Sequence, residues 1–172
     1  MGATKQLPQE TLDALGGQFA NANDNRWVVG VAARDGWLAA NRAYLAAMRR
    51  RGAEEMAAII DAAGVARPIA LPQAVELLKM ALPLWACGTR VKPMACQKGS
   101  AALEIRVVNC PIYAQLQKTH WRGVTACGNW HRRQGWYDAL GLIAEDTLLK
   151  EKKWGYGACV IRVKLRQAPC PN

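Results

Sequence analysis

Apolar residues recur at helical spacing through the first half of the chain. Between residues 37 and 48 they fall at steps of three and four, which is the stripe of an amphipathic helix. The segment "AEEMAAIIDAAG" predicts a second helix, separated from the first at Gly52 and closed by Gly64. The segment "LPQAVELLKMAL" predicts a third helix with Pro72 in its first turn.

The second half of the chain changes to a period of two. Apolar and polar residues alternate in "SAALEIRVVNC" and in "ACVIRVKLR", which predicts two half-buried strands. Between them we expect a short helix after Pro111 and a longer helix running from about 137 to 153. Because two strands alone make a marginal sheet, we expect a third strand around 86–97 or pairing between subunits.

This order of elements predicts an α+β fold, in which a helical N-terminal half packs on a small, mostly antiparallel sheet. Residues 1–24 are polar and are interpreted as a flexible lead-in. Residues 25–172 are expected to form one domain, helical over 25–86 and strand–helix–helix–strand over 100–166.

Composition and charge narrow the function classes. The chain is 51% hydrophobic and 21% charged, which is typical of a globular protein. It lacks both a secretory h-region and an apolar run long enough to cross a bilayer, so a cytoplasmic protein with no membrane contact is expected. The net charge of +10 is spread over both halves without a nucleic-acid-binding motif. Nucleic acid is therefore an unlikely partner, and a small anionic substrate fits the charge equally well.

Reactive side chains gather late in the sequence. Residues 119–141 hold both histidines and three of the seven tryptophans. None of the six cysteines forms a CxxC pair, which argues against standard zinc and thioredoxin motifs. Cys110 ends the first strand, Cys127 precedes a glycine that would admit a ligand, and Cys159 opens the last strand. We expect these three thiols to converge near one end of the sheet.

Two mechanisms could use such a cluster. His131 lies four residues after Cys127, which places both on one face if the segment is helical. A thiolate could attack an electrophilic carbon while His131 transfers the proton. Alternatively, a divalent metal held by Cys110, Cys127, Cys159 and His131 could activate water. Whether a cofactor is bound is left open, and nearby acids could orient His131 or accept protons. These acids are Asp138, Glu145 and Asp146.

The order of these motifs resembles a known family. A strand ending in Cys-Pro, "EIRVVNCPIY", is followed by "ACGNWH" and then by "GYGACVIRVKL". This looks like the C-terminal part of the L-2-amino-thiazoline-4-carboxylic acid hydrolase family. The helical segment "DGWLAANRAYLAAMRRRGAEEMAAII" is loosely similar to that family's N-terminal half, so the likeness spans about residues 27–166.

The resemblance implies a ring-opening hydrolase that adds water across the C=N bond of a small thiazoline or cyclic amidine. It carries over Cys110, Cys127 and Cys159 as site residues. A cationic pocket would suit a substrate that bears a carboxylate, with tryptophan stacked on a flat ring. The expected substrate contacts are Asn129, Trp130, Trp136, Tyr113 and Arg132, with Arg122, Arg133 and Trp121 as further candidates.

Two other classes of function stay open. One is a non-catalytic, cysteine-rich module that binds a metal, a tetrapyrrole or another small ligand. The other is an accessory subunit that docks on a larger enzyme through a basic, tryptophan-rich surface. A homo-oligomer is compatible with each of the three.

Overall fold

The computed structural model describes residues 7–21, 27–86, 88–96, 98–110, 113–114 and 127–168, without the side chains of 18–21. Within these ranges the helices are α1 (Gln9–Asn21), α2 (Trp27–Ala63), α3 (Leu71–Trp85) and α4 (Gly128–Leu140). The strands are β1 (Arg90–Met94), β2 (Ser100–Val107), β3 (Leu142–Lys150) and β4 (Cys159–Gln167). A short 3₁₀ helix, Lys152–Trp154, lies between β3 and β4.

The predicted α+β class is confirmed. The four strands form one antiparallel sheet in the order β1–β2–β4–β3. Both strands predicted from alternation are present as β2 and β4, and the third strand expected around 86–97 is β1. Pro72 lies in the first turn of α3, as its sequence position indicated.

The predicted helix over 137–153 is wrong beyond its first turn. Helix α4 ends at Leu140, where Gly141 takes a left-handed conformation (φ 66°) that caps the helix. The chain then forms β3, whose inward positions include Ala144 and Leu148. Apolar residues spaced four positions apart lie on one face of a helix and also on one face of a strand. The same residues were therefore compatible with either element.

The predicted helix boundary at Gly52 is also wrong, because α2 runs through it. A Cβ at Gly52 would lie 2.8 Å from the carbonyl carbon of Arg132, and a Cβ at Gly135 would lie 2.7 Å from the backbone nitrogen of Ala53. Both glycines therefore allow α2 and α4 to pack backbone against backbone. The real interruption is at Gly36, whose φ of 83° is not helical.

The segment interpreted as a flexible lead-in contains α1. Leu15 is buried on this helix, and Gly16 lies beside Leu84 of α3. The burial of an apolar face against α3 accounts for a helix in a segment that reads as polar overall.

The core lies between the helices and one face of the sheet. Leu103 and Ile105 of β2 meet Leu78 and Leu82 of α3 there, together with Trp136 of α4. The opposite face of the sheet carries the alternate, mostly charged positions of the strands. No helix in the described part of the chain is long and apolar enough to span a membrane.

Candidate functional site

A small cavity lies where β2, β4 and the N-terminus of α4 meet. It encloses about 40 Å³, which is room for roughly three water molecules. Cys110, Cys127 and Cys159 all line it. The structure therefore brings together the three thiols that the sequence singled out, from positions up to 49 residues apart.

Cys110 follows β2 and caps the turn that comes next. Its carbonyl oxygen accepts a hydrogen bond from the Ala114 amide (3.0 Å), and its Sγ accepts one from the Tyr113 amide (3.3 Å). The side-chain amide of Asn129 donates a second hydrogen bond to Sγ (3.1 Å). Burial raises the pKa of the Cys110 thiol, while the two N–H donors act in the opposite direction. A thiolate formed here would have two donors already in place.

Cys127 and Cys159 approach the cavity from two other elements. Cys127 is exposed at the N-cap of α4. Cys159 is partly buried at the start of β4, and its Sγ accepts a hydrogen bond from the Lys152 amide (3.4 Å). Burial raises the pKa of Cys159, and a charge on Cys127 would raise the pKa of both Cys110 and Cys159. The three thiols are thus near enough to affect one another electrostatically.

His131 is not among the described residues that line the cavity. Cys127 has non-helical dihedrals (φ −77°, ψ 107°) as the cap of α4, so the helical i,i+4 relation does not apply to it. His131 is half-buried, and its pKa is lowered by burial and by the charge of Arg49. The imidazole is therefore not part of the described wall of the cavity.

Gly128 has a different role from the one expected. A Cβ there would come within 2.7 Å of Cζ of Tyr44 and closer still to its hydroxyl, so the glycine admits a protein side chain rather than a ligand. Tyr44 is buried, and burial, together with the charges of Cys127 and Cys110, raises its pKa. The sequence identified Tyr44 only as part of a helical stripe.

Asn129 and two tryptophans provide polar groups at the cavity. Trp130 is 44% exposed at its edge, whereas Asn129 and Trp85 are each only 6% exposed. Oδ1 of Asn129 and Nε1 of Trp85 are buried without a hydrogen-bond partner in the described part of the chain. Buried polar atoms are nearly always paired, so an acceptor and a donor are available at the cavity for a ligand.

Arg133 is the cation at the cavity wall. Its Nε and Nη2 donate to Oδ2 of Asp146 (3.0 and 2.7 Å), and the Tyr137 hydroxyl donates to Oδ1 (3.1 Å). Burial lowers the pKa of Arg133, but the charges of Tyr137 and Asp146 raise this pKa by more than burial lowers it. The guanidinium therefore stays protonated. Glu151 also lines the cavity, and its carboxylate lies 3.2 Å from Nζ of Lys153. The described lining therefore carries one cation, Arg133, and two carboxylates, Asp146 and Glu151. It has no net positive charge that would attract an anionic substrate.

Arg132 and Trp136, both predicted to contact substrate, lie in the core and not among the residues that line the cavity. Nε of Arg132 donates to Glu55 (2.7 Å), and Nε1 of Trp136 donates to the same carboxylate oxygen (3.1 Å). The Arg132 guanidinium also lies 5.7 Å from the centre of the Trp85 ring. The two neighbouring arginines of α4 therefore lie on different sides of the helix. Arg133 lines the cavity, and Arg132 contacts Glu55 of α2.

The remaining predicted site residues lie outside this constellation. Tyr113 contributes its backbone amide to Cys110, and its ring lies 5.3 Å from Nζ of Lys152. Asp138 pairs with Arg49 at the surface, and Glu145 is exposed on the opposite face of the sheet. Arg122 and Trp121 lie outside the described residues. No three His, Cys, Asp or Glu side chains within the described ranges are arranged to hold a metal ion.

Comparison with known proteins adds no assignment. No family model matches the chain, and neither a curated protein nor a solved structure does.

Proposed function

We propose that the protein is a thiol-dependent hydrolase that opens a carbon–nitrogen bond in a small heterocycle of the thiazoline or cyclic amidine type. The observation that carries this proposal is the cavity with Cys110, Cys127 and Cys159 in its wall and two unpaired buried polar atoms beside them. The cavity is small and largely apolar, which suits the reacting end of a compact, neutral ring.

Cys110 is the nucleophile in this proposal, since its sulfur already has two N–H donors. Its thiolate adds to the carbon of the C=N bond, and the ring nitrogen takes up the proton that the thiol gave up. The C–N bond then breaks and the amine leaves, while the second heteroatom on that carbon forms a double bond to it, which gives a thioimidate or its sulfur analogue. Water adds to this carbon and expels the Cys110 thiolate, so that one water is consumed per ring opened. Nε1 of Trp85 and Oδ1 of Asn129 orient the substrate through its acceptor and donor groups.

The test replaces Cys110 by serine, which keeps the size and hydrogen bonding of the cap but is a far weaker nucleophile. A panel of thiazolines and cyclic amidines is incubated with each protein, and products that have gained one water are detected by mass spectrometry. We expect Cys110→Ser to lower turnover by at least about 100-fold at unchanged thermal stability. Cys96→Ala is the matched control, because Cys96 is exposed outside the cavity. Full turnover by Cys110→Ser would refute the assignment.

The pH profile gives a second prediction. Since burial raises the pKa of Cys110 above the ordinary value of 9.0, the thiolate is a minor species at neutral pH. With a substrate that does not titrate, kcat/KM should therefore rise about tenfold per pH unit between about pH 6 and 9. A plateau reached below about pH 8 would show that another group limits the reaction.

A second candidate is a non-catalytic module that binds a small ligand in the same cavity. It is favoured by the raised pKa values of Cys110 and Cys159, which keep both thiols protonated and weakly nucleophilic at neutral pH. In that case the ligand panel would yield binding, measured by calorimetry, with every compound recovered unchanged.

A further inference from the structure

We infer that the face of the sheet opposite the helices binds single-stranded nucleic acid. This inference is independent of the proposed hydrolase, whose cavity lies on the helical side. The face is built from the alternate positions of all four strands. It carries two acidic residues, Glu104 and Glu145, and seven basic ones: Arg90, Lys92, Arg106, Lys150, Arg162, Lys164 and Arg166. Its net charge is thus +5, although charge is spread evenly along the sequence.

The register places several of these cations side by side. Arg90 lies directly opposite Arg106 on neighbouring strands, an arrangement in which like charges destabilise the sheet. Lys92 and Arg162 flank Glu104 on either side. None of the seven cations belongs to an ion pair between described residues. Repulsion between Arg90 and Arg106, neither of which is ion-paired among the described residues, would be relieved by a bound polyanion.

Arg162 shows the same lack of internal partners. It is half-buried in the centre of the face, and its Nε is buried without a hydrogen-bond partner among the described residues. Arginine donates well to phosphate oxygens, so a backbone phosphate over the face would accept a hydrogen bond from the Arg162 guanidinium.

Aromatic and apolar surface adjoins the charges. Tyr156 is 46% exposed, and its ring lies 5.6 Å from Nζ of Lys150, which pairs with Val160 on the same face. At the other end of the face, the residues that line a hollow of about 470 Å³ include Ile143, Glu145, Lys164 and Arg166. Surfaces that combine cations with an exposed ring bind single strands, because unpaired bases stack on the ring while phosphates meet the cations. A duplex keeps its bases stacked inside and cannot use the ring.

The test measures binding of a fluorescent single-stranded RNA of about 20 nucleotides by anisotropy at about 0.1 M salt. The full chain is compared with a double variant of the face, Arg106→Gln with Lys164→Gln. The matched control, Arg42→Gln with Arg50→Gln, removes the same charge from exposed positions on α2. We expect the face variant to bind at least about tenfold more weakly and to lower the slope of log K against log salt by about 1.4. The control should change binding by less than about threefold.

A second comparison separates a nucleic-acid site from a general polyanion surface. Tyr156→Ala should weaken binding of the single strand by about fivefold or more, while Trp37→Ala on α2 should have no effect. The inference is overturned if the single strand fails to bind at low salt, or if the face variant behaves as the helix control does. It is also overturned if duplex RNA or heparin binds as tightly as the single strand and Tyr156→Ala changes nothing.

Discussion

Gly135→Ala is expected to remove about 4 kcal/mol or more from the free energy of unfolding. A Cβ at this position would lie 2.7 Å from the Ala53 nitrogen and closer still to the Arg49 carbonyl oxygen, both backbone atoms of α2. Backbone cannot yield as the end of a flexible side chain does, so α2 and α4 would have to separate. Losses of this size are exceptional for one substitution and amount to a large share of the stability of an ordinary domain.

Chemical denaturation measures this effect as a shift of the midpoint at unchanged slope. The matched control is Gly30→Ala in α2, where no described atom lies within 4 Å of the added Cβ. There alanine should stabilise the protein by about 0.5–1 kcal/mol, because it favours the helix over the unfolded chain. A Gly135→Ala protein that unfolds within about 1 kcal/mol of wild type would mean that the two helices are farther apart than described.

The sequence predicted the type of element correctly where the apolar residues fitted either the strand period of two or the helical period, but not both. In β2, Leu103, Ile105 and Val107 alternate with charged neighbours, and no helical stripe competes. In the segment that forms β3, Ala144 and Leu148 fit both periods, and the choice depends on Gly141 closing α4. Gly52 was misread for a related reason: whether a glycine ends a helix or admits a neighbour depends on what packs against it.

The part of the candidate site that could be predicted is the part fixed by the positions of cysteines at the ends of strands. A cysteine at the end of a strand and another at the start of the paired strand must come close once β2 and β4 pair, and Val107 is indeed opposite Cys159. What could not be predicted was the direction of adjacent side chains on α4. Arg132 and Arg133 are equivalent in sequence, and only the positions of Glu55 and Asp146 assign them to different sides.

The basic face of the sheet shows the same limit. Net charge along the sequence is even, so it gave no reason to expect a nucleic-acid partner. The strand register gathers Arg90, Arg106 and Arg162 from three separate segments onto one surface. The charge of this face therefore depends on how the strands pair, and a count of charges along the sequence carries no information on strand pairing.

Arg132→Met is expected to cost about 3–5 kcal/mol of stability, since it leaves a buried carboxylate without its cation. Glu55 is 4% exposed and Arg132 is 1% exposed, and the pair is joined through Nε and Nη2 of the arginine. After the substitution, Glu55 keeps the Trp136 N–H as a donor and the charge of the half-buried Arg51 nearby, neither of which replaces the two hydrogen bonds from Arg132. Methionine fills much of the volume of the arginine side chain. The loss of stability therefore comes from the missing charge and not from a cavity.

Arg49→Met is the matched control, because it removes a second arginine that joins α2 to α4. Arg49 and Asp138 are 2.7 Å apart but have side chains that are 55% and 47% exposed. Water already solvates both groups, so thermal or chemical denaturation should show a loss below about 1 kcal/mol. The double variant Glu55→Leu with Arg132→Met should recover part of the stability lost in the single variant, because no buried charge is left alone. Equal losses for Arg132→Met and Arg49→Met would contradict the burial of the Glu55 pair and would mean that water reaches it.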